Sequence, residues 1–278
     1  MARRFLILYN PTSGRGGPAL VEDVARRLEL AGEEVTLEAT RGPGDARARL
    51  PELEPSFDVI VAAGGDGTLS EVINGFVGRE HRTLGVIPTG TTTVLAKELQ
   101  LPTEAAAVAE TLRSDRTLPV YPTRLNDRKF LLWVGAGFDA WVVAGVDLAL
   151  KKKIGKLAYA LEALKRWPGY GKARYLVEVD GRTFEAYSAI ISSGRFYAGR
   201  FRLAEPADLS QPHVGVVLFH SPTRLGLLRN LLDLARGKIA ASPGIETVTG
   251  RRVHLERADE VGGNSDLEAT RERVQVDG

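Results

Sequence analysis

Four times in the first hundred residues a short apolar run gives way to a loop of turn-forming residues and then to an amphipathic stretch. Consecutive strand–loop–helix units of this kind imply a parallel sheet with helices packed on its faces. Phe5 to Tyr9 is the first predicted strand. The loop Asn10-Pro-Thr-Ser13-Gly-Arg-Gly-Gly17 follows, Pro18 suits a helix start, Leu20, Val24 and Leu28 share one helix face, and Gly32 ends it. Glu34 to Ala39, ending at Thr40, is the second strand. Asp45 then caps a short helix that Pro51 ends or kinks. The third unit runs from Phe57 to Phe76. The fourth is a strand from Leu84 to Pro88, the loop Thr89-Gly90-Thr91-Thr92-Thr93, and a helix from Val94 to about Leu101.

The third unit carries the chemistry. After the apolar run ending at Ala63 come Gly64, Gly65, Asp66 and Gly67. Three glycines allow positive φ and let a ligand approach the backbone closely. Thr68 and Glu71 match the T-x-x-E capping box of a helix start, and Leu69, Val72, Ile73 and Phe76 give that helix one apolar face. Backbone N–H groups at such a start bind anions. A carboxylate in the same turn repels an anion unless a cation neutralises it or it accepts a proton, so Asp66 points to chemistry rather than to plain phosphate binding. Ligands of parallel sheets lie beyond the carboxyl ends of the strands. The Gly-, Ser-, Thr- and Asn-rich loops there form a rim of donors suited to a polyphosphate. The chain has neither the G-x-x-x-x-G-K-[ST] loop nor a G-x-G-x-x-G after the first strand.

The pattern changes after Leu118 to Thr123, a crossover with two prolines. The expected division is an α/β domain over 1–122 and a second domain over 123–278. In the second, Asn126-Asp127 and Asp180-Gly181 read as hairpin turns between short strands, and His213 to His220 and Arg252 to Arg257 are further strands, which suggests a β-sandwich. Val142 to Trp167 reads as helical and contains Lys151, Lys152, Lys153 and Lys156. A charge run of this kind is a solvated face or a site of peripheral attraction to anionic lipid headgroups. Leu157, Tyr159, Leu161, Leu164 and Trp167 face either the core or a membrane, and inward packing, usual for long apolar residues at helical spacing, is the expectation. Leu225 to Leu234 is a second amphipathic helix. Without cysteine, disulfides and thiolate metal sites are excluded, and a net charge of +2 does not suit a nucleic-acid binder. The four histidines lack metal-ligand spacing. No run approaches the roughly 20 apolar residues of a membrane span, so a cytoplasmic protein is expected. The oligomeric state is not fixed by the sequence.

Asn10-Pro-x-Ser13-Gly, Gly64-Gly-Asp66-Gly-Thr68-x-x-Glu71-Val-x-Asn74-Gly and Pro88-x-Gly90-Thr91, in this order and at similar spacing, resemble the diacylglycerol kinase catalytic family. That family includes bacterial lipid kinases and is related to sphingosine, ceramide and NAD kinases. Gly135-Ala-Gly-Phe138-Asp139, Gly155-Lys-x-Ala-Tyr159 and the Gly194 to Pro206 segment extend the resemblance over nearly the whole chain. It implies a Rossmann-like α/β nucleotide-binding domain, a β-sandwich domain that receives a lipid, and an active site in the cleft between them. It further implies an ATP site lined by Asn10, Ser13, Thr40, Gly64, Gly65, Gly67, Thr68, Glu71, Gly90 and Thr91. Asp66 would stand at the phosphoryl-transfer centre as base or as magnesium partner.

The expected activity is ATP- and magnesium-dependent transfer of the γ-phosphoryl group to a hydroxyl of diacylglycerol, a sphingoid base or a similar lipid. The alternatives are a non-catalytic nucleotide- or lipid-binding member and a soluble-substrate kinase such as an NAD kinase. Three positions depart from the family pattern. Thr93 replaces an Asn and is followed by Val94. Where many bacterial members have Asp-Gly, with the Asp helping to hold a structural magnesium, the corresponding stretch is Asp208-Leu-Ser-Gln-Pro212-His213, and Pro212 cannot be a side-chain ligand, so that site is expected to be absent. The chain ends at Asp277-Gly278 where the family continues with a Glu proposed as general base. Weak transfer by this chain is therefore expected; a native continuation, if one exists, would restore it, and a native end at Gly278 would favour the non-catalytic alternative.

Overall fold

The structure is a computed structural model that describes residues 2–14, 16–53, 56–76, 82–90, 93–147, 150, 154, 157–199, 201–258 and 275–276. Thr91, the four lysines at 151, 152, 153 and 156, and the last two residues lie outside the described residues. The chain forms two compact units, which meet in sequence at Leu131 and Leu132.

In the first unit, strands β1 (Arg4–Tyr9), β2 (Glu34–Ala39), β3 (Val59–Gly64) and β4 (Thr83–Pro88) form one sheet in the order β2-β1-β3-β4. All its pairings are parallel. Helices α1 (Gly17–Leu30), α2 (Asp45–Leu53), α3 (Asp66–Gly75), α4 (Val94–Glu98) and α5 (Ala105–Arg113) connect and follow the strands. The continuous apolar runs of β1 and β3 reflect burial on both faces. Phe5, Ile7, Val59, Val61 and Ala63 face a core shared with Val21, Val24 and Leu28 of α1 and Val108 and Leu112 of α5. The alternate residues Leu6, Leu8, Ile60 and Ala62 are buried on the opposite face. Leu69, Val72, Ile73 and Phe76 are buried as the helical spacing requires. The hairpin β5 (Thr123–Leu125) and β6 (Arg128–Phe130) turns at Asn126, whose φ is 51°. It is fixed to the end of α3, where the Asn74 side chain donates to the Lys129 carbonyl and accepts from the Lys129 N–H, both at 2.8 Å.

The second unit is antiparallel. β7 (Trp133–Ala136), β10 (Ser188–Ser192), β13 (Val214–Phe219), β14 (Ile245–Gly250) and β16 (Gln275–Val276) form a sheet in the order β14-β13-β10-β7-β16. β8 (Tyr175–Val179), β9 (Arg182–Ala186) and β15 (Val253–Arg257) form another, in the order β15-β8-β9. A two-strand ribbon joins β11 (Phe196–Tyr197) to β12 (Phe201–Arg202). β8 buries Tyr175, Val177 and Val179 and turns Leu176 and Glu178 outward, the alternation of a half-buried sheet. β10, with a neighbour on each side, is buried throughout.

Within the helical stretch expected over 142–167, α6 (Phe138–Gly145) ends with its C-cap at Val146, Leu150 and Ile154 are helical, and α7 (Leu157–Arg166) follows. The inward packing expected of their apolar residues holds only in part. Tyr159, Ala163 and Trp167 pack on a core of Phe138, Val142, Tyr170 and Leu227, whereas Leu157, Leu161 and Leu164 are exposed. The last helix, α8 (Arg224–Ala235), opens with a side-chain cap, the Thr223 hydroxyl accepting from Gly226 N–H at 3.1 Å. Among the described residues, no helix is long and apolar enough to cross a membrane.

Candidate functional site

β1, β3 and β4 lie side by side, so the loops after them emerge together. β1 connects outward to β2 and β3 connects the other way to β4, which makes the β1/β3 boundary the switch point where parallel sheets bind ligands. Backbone bonds carry the ladder past the strand ends. Thr40 N–H donates to the Tyr9 carbonyl (2.8 Å), Asn10 N–H to Ala63 (3.1 Å), and Thr89 and Gly90 N–H both to Gly64 (3.2 Å each). These N–H groups are therefore spent on the fold.

The Asn10 side chain accepts from Thr12 N–H (3.0 Å) and hydroxyl (2.9 Å), which folds the loop back on itself. Ser13 is buried with its hydroxyl 2.7 Å from that of Thr89. Thr89 is a residue the motif reading passed over; its signal was a hydroxyl directly after Pro88 in a turn. Gly14 has φ +60°, and a Cβ there would sit 2.0 Å from the Thr89 carbonyl oxygen. A Cβ on Gly90 would come within 2.7 Å of Gly65 Cα, backbone against backbone. An open groove of about 600 Å³ runs along these loops, lined by Gly14, Gly16, Gly17, Leu20, Pro88, Thr89, Gly90 and Thr103.

The Gly64–Glu71 stretch corrects the sequence reading twice. Gly64, Gly65 and Gly67 do not take positive φ. Gly64 is needed for room, since a Cβ there would lie 2.2 Å from the Thr68 hydroxyl, while at Gly67 there is open space. The expected capping box does not form. α3 begins at Asp66 with Gly65 as N-cap and no side-chain cap, so Thr68 is already inside the helix. Glu71 reaches instead to α2, accepting from Gly44 N–H (2.8 Å) and Ala46 N–H (3.2 Å).

Asp66 performs the same service for α4. Its two carboxylate oxygens accept from Val94 N–H (3.0 Å) and Leu95 N–H (3.2 Å). Burial pushes its pKa above the usual carboxylate range against the downward pull of those two donors. The Thr93 hydroxyl points at the Gly64 carbonyl at 3.5 Å, at the outer limit of a hydrogen bond. Of the four helices that follow strands β1 to β4, α2 and α4 thus start under a carboxylate from α3. α1 and α3 start on glycine with no side-chain cap. An unclosed helix start carries partial positive charge and free N–H donors, and it favours an anion.

In the second unit Asp139, in the first turn of α6, stands out. The Tyr197 hydroxyl donates to its Oδ1, while Oδ2 is buried without a hydrogen-bond partner. Burial raises its pKa to about 6, with the tyrosine bond opposing the shift. The signal in the sequence was an acid inside the otherwise uncharged run Phe130 to Val146. Asp208 is turned onto its own loop, accepting from Ser210 N–H (2.9 Å) and hydroxyl (2.8 Å), and those bonds lower its pKa.

Residues 4–124 match the diacylglycerol kinase catalytic domain, and 133–274 match the YegS C-terminal NAD kinase beta sandwich-like domain. A diacylglycerol kinase of Staphylococcus haemolyticus is 30% identical over 268 residues, covering 94% of this chain and 81% of that protein. A diacylglycerol kinase of Bacillus subtilis is 30% identical over 272 residues, covering 96% and 90%. The crystal structure of a diacylglycerol kinase from Bacillus anthracis superimposes with a TM-score of 0.77 at 22% identity, over 99% of this chain and 90% of that one, which shows the shared fold. Sequence and fold together place the chain in the diacylglycerol kinase family of lipid kinases.

Proposed function

We propose that this chain transfers the γ-phosphoryl group of ATP to a hydroxyl of diacylglycerol, a sphingoid base or a similar lipid. The observation that carries the proposal is the contrast between helix starts. α1 and α3 are left open beside a glycine-lined groove, while carboxylates close α2 and α4. Phosphates fit where backbone donors are free and no Cβ intrudes. In this reading Asn10, Ser13, Gly64, Gly65, Gly67, Thr68 and Gly90 would frame that place, and Gly90 lines the groove itself. Thr40 follows β2 beside the end of β1, and Glu71 of α3 closes the start of α2 rather than touching the ligand.

Magnesium would neutralise the phosphate oxygens when bound. Such a site commonly takes one or two carboxylates, with substrate oxygens and water completing the shell. Asp66 fits as the protein's contribution, because each of its oxygens keeps a lone pair beyond the one given to α4. Among the described residues, no three His, Asp or Glu side chains converge to hold an ion by themselves. In the transfer, a bond forms between the lipid hydroxyl oxygen and the γ-phosphorus, the bond to the ADP oxygen breaks, and the hydroxyl proton passes to Asp66 where that carboxylate acts as base rather than as magnesium partner. A carboxylate raised by burial is better suited to that proton than an ordinary one.

The test is an ATP-binding titration followed by a labelled phosphoryl-transfer assay on mixed lipids. Binding with transfer to a lipid is expected. Binding without transfer would make the chain a non-catalytic nucleotide binder, and absence of ATP binding would overturn the proposal.

A further inference from the structure

Two helices of the second unit turn rows of leucine away from the core beneath them. On α7, Leu157, Leu161 and Leu164 are 52–70% exposed, while Ala158 is buried and Tyr159 and Ala163 pack inward. On α8, Leu225, Leu228, Leu231 and Leu232 are 42–79% exposed, while Leu227 and Asn230 are buried. Each row follows helical spacing on the side opposite the buried residues. A single exposed leucine is ordinary, but a row of three on one helix and of four on another calls for a partner.

The two helices share one support. Tyr159 and Ala163 of α7 and Leu227 of α8 pack on the same cluster with Phe138 and Tyr170. The segment after α7 is tied to the start of α8 by two bonds of 2.8 Å, from the Tyr170 hydroxyl to the Ser221 carbonyl and from the Arg224 guanidinium to the Pro168 carbonyl.

We propose that the outward faces of α7 and α8 form one docking surface for a lipid bilayer that carries anionic headgroups. Charge selects this occupant. Along α8 and just past it stand Arg224, Arg229, Arg236 and Lys238, all exposed, against a single acid, Asp233. Arg229 and Arg236 both lean on that acid, at 3.8 and 3.9 Å. On α7, Lys165 and Arg166 share Glu162. In sequence, Lys151, Lys152, Lys153 and Lys156 directly precede α7. A second copy of this chain would set cations against cations, whereas an anionic interface complements them and admits the leucines. Neither helix is long and apolar enough to span a bilayer, so they would lie in its surface. The inference rests on the lipid-kinase reading only for its purpose, which is delivery of the enzyme to a substrate that resides in a membrane.

Vesicle flotation without nucleotide tests it, using phosphatidylcholine vesicles with and without phosphatidylglycerol. The parent is expected to prefer the anionic vesicles. Leu225→Ser/Leu228→Ser/Leu232→Ser should bind both kinds about ten-fold more weakly or worse. Arg229→Gln/Arg236→Gln should lose most of the anionic preference and its salt dependence. Leu161→Ser/Leu164→Ser is a second, independent variant, and thermal melts establish that all three fold. Each should still phosphorylate a dispersed short-chain diacylglycerol like the parent. Loss of that transfer in the parent would overturn the proposed reaction and leave the docking result standing. A parent that binds neither vesicle, or leucine variants that bind as the parent does, would overturn the docking surface. So would light scattering that shows a parent dimer dissociated by the leucine changes with vesicle binding unaltered, since a second copy would then be the occupant.

Discussion

Asp66→Asn separates two roles that the structure gives to one carboxylate. The first is mechanical, because Asp66 holds the start of α4 through Val94 and Leu95 N–H. An asparagine keeps one acceptor oxygen and sets an NH₂ group against the second N–H. A lost helix cap costs about 1 kcal/mol, and a donor left unpaired about 1–3 kcal/mol where it is fully buried. Asp66 is only partly buried, so the lower end applies, and a fall in Tm of several degrees is expected. Titration gives that loss a pH dependence. The folded pKa of Asp66 is raised, so its contribution to stability is complete below the ordinary carboxylate value and declines as pH rises through the raised one. The deficit of the asparagine variant is therefore largest in acid and shrinks towards neutrality.

The second role is chemical. If Asp66 takes the hydroxyl proton, kcat falls by roughly 10²- to 10⁴-fold, or about 2.7–5.5 kcal/mol of barrier. A loosened α4 start, at about 1 kcal/mol, accounts for no more than about five-fold. Melts from pH 4 to 8 and steady-state kinetics on the same preparation read the two roles apart. A kcat within about five-fold of the parent would reduce Asp66 to a positioning residue. An unchanged melt at every pH would refute the cap.

Glu71→Gln should lower the melting temperature by a few degrees through the α2 start and leave kcat nearly unchanged, since Glu71 faces Gly44 and Ala46; a collapse of kcat with an intact melt would place it in the chemistry instead. Gly90→Ala should raise the KM for ATP about ten-fold or more, because its Cβ would meet Gly65 Cα at 2.7 Å and neither backbone can yield without opening the groove; an unchanged KM would detach the groove from the nucleotide. Asp139→Asn should melt above the parent at pH 8, with the gap closing towards pH 4. Displacement of its pKa from 3.8 to about 6 means that stability present below the ordinary value is lost through pH 6, up to about 3 kcal/mol. A gap that ignores pH would show that Asp139 is not the titrating group.

The parallel sheet was legible because strands buried on both faces leave continuous apolar runs, and β1 and β3 are such runs. The loops at its carboxyl edge were legible from their turn residues. What the sequence could not convey is where each side chain reaches. Thr68 and Glu71 match a capping box in spacing, yet the helix begins at Asp66, two residues before Thr68, and Glu71 turns to a helix 25 residues back in sequence. Asp66 finds its donors 28 and 29 residues ahead. Local patterns carry no information about partners at that distance. Periodicity failed on α7 for a related reason. It reports that leucines share a stripe, but not that the smaller residues Ala158 and Ala163, with Tyr159, form the inward one. The same limit applies to the site. A glycine-rich turn before a helix is a common motif, and its presence does not say whether an anion belongs there. The discriminating feature is which helix starts the fold closes with its own carboxylates. Both α3 acids are directed away from their own helix start, onto α2 and α4, and the two ends left open are those of α1 and α3 on either side of the β1/β3 boundary. Carboxylates that close α2 and α4 leave the backbone donors of α1 and α3 for phosphate, and that distribution appears only once the chain has folded.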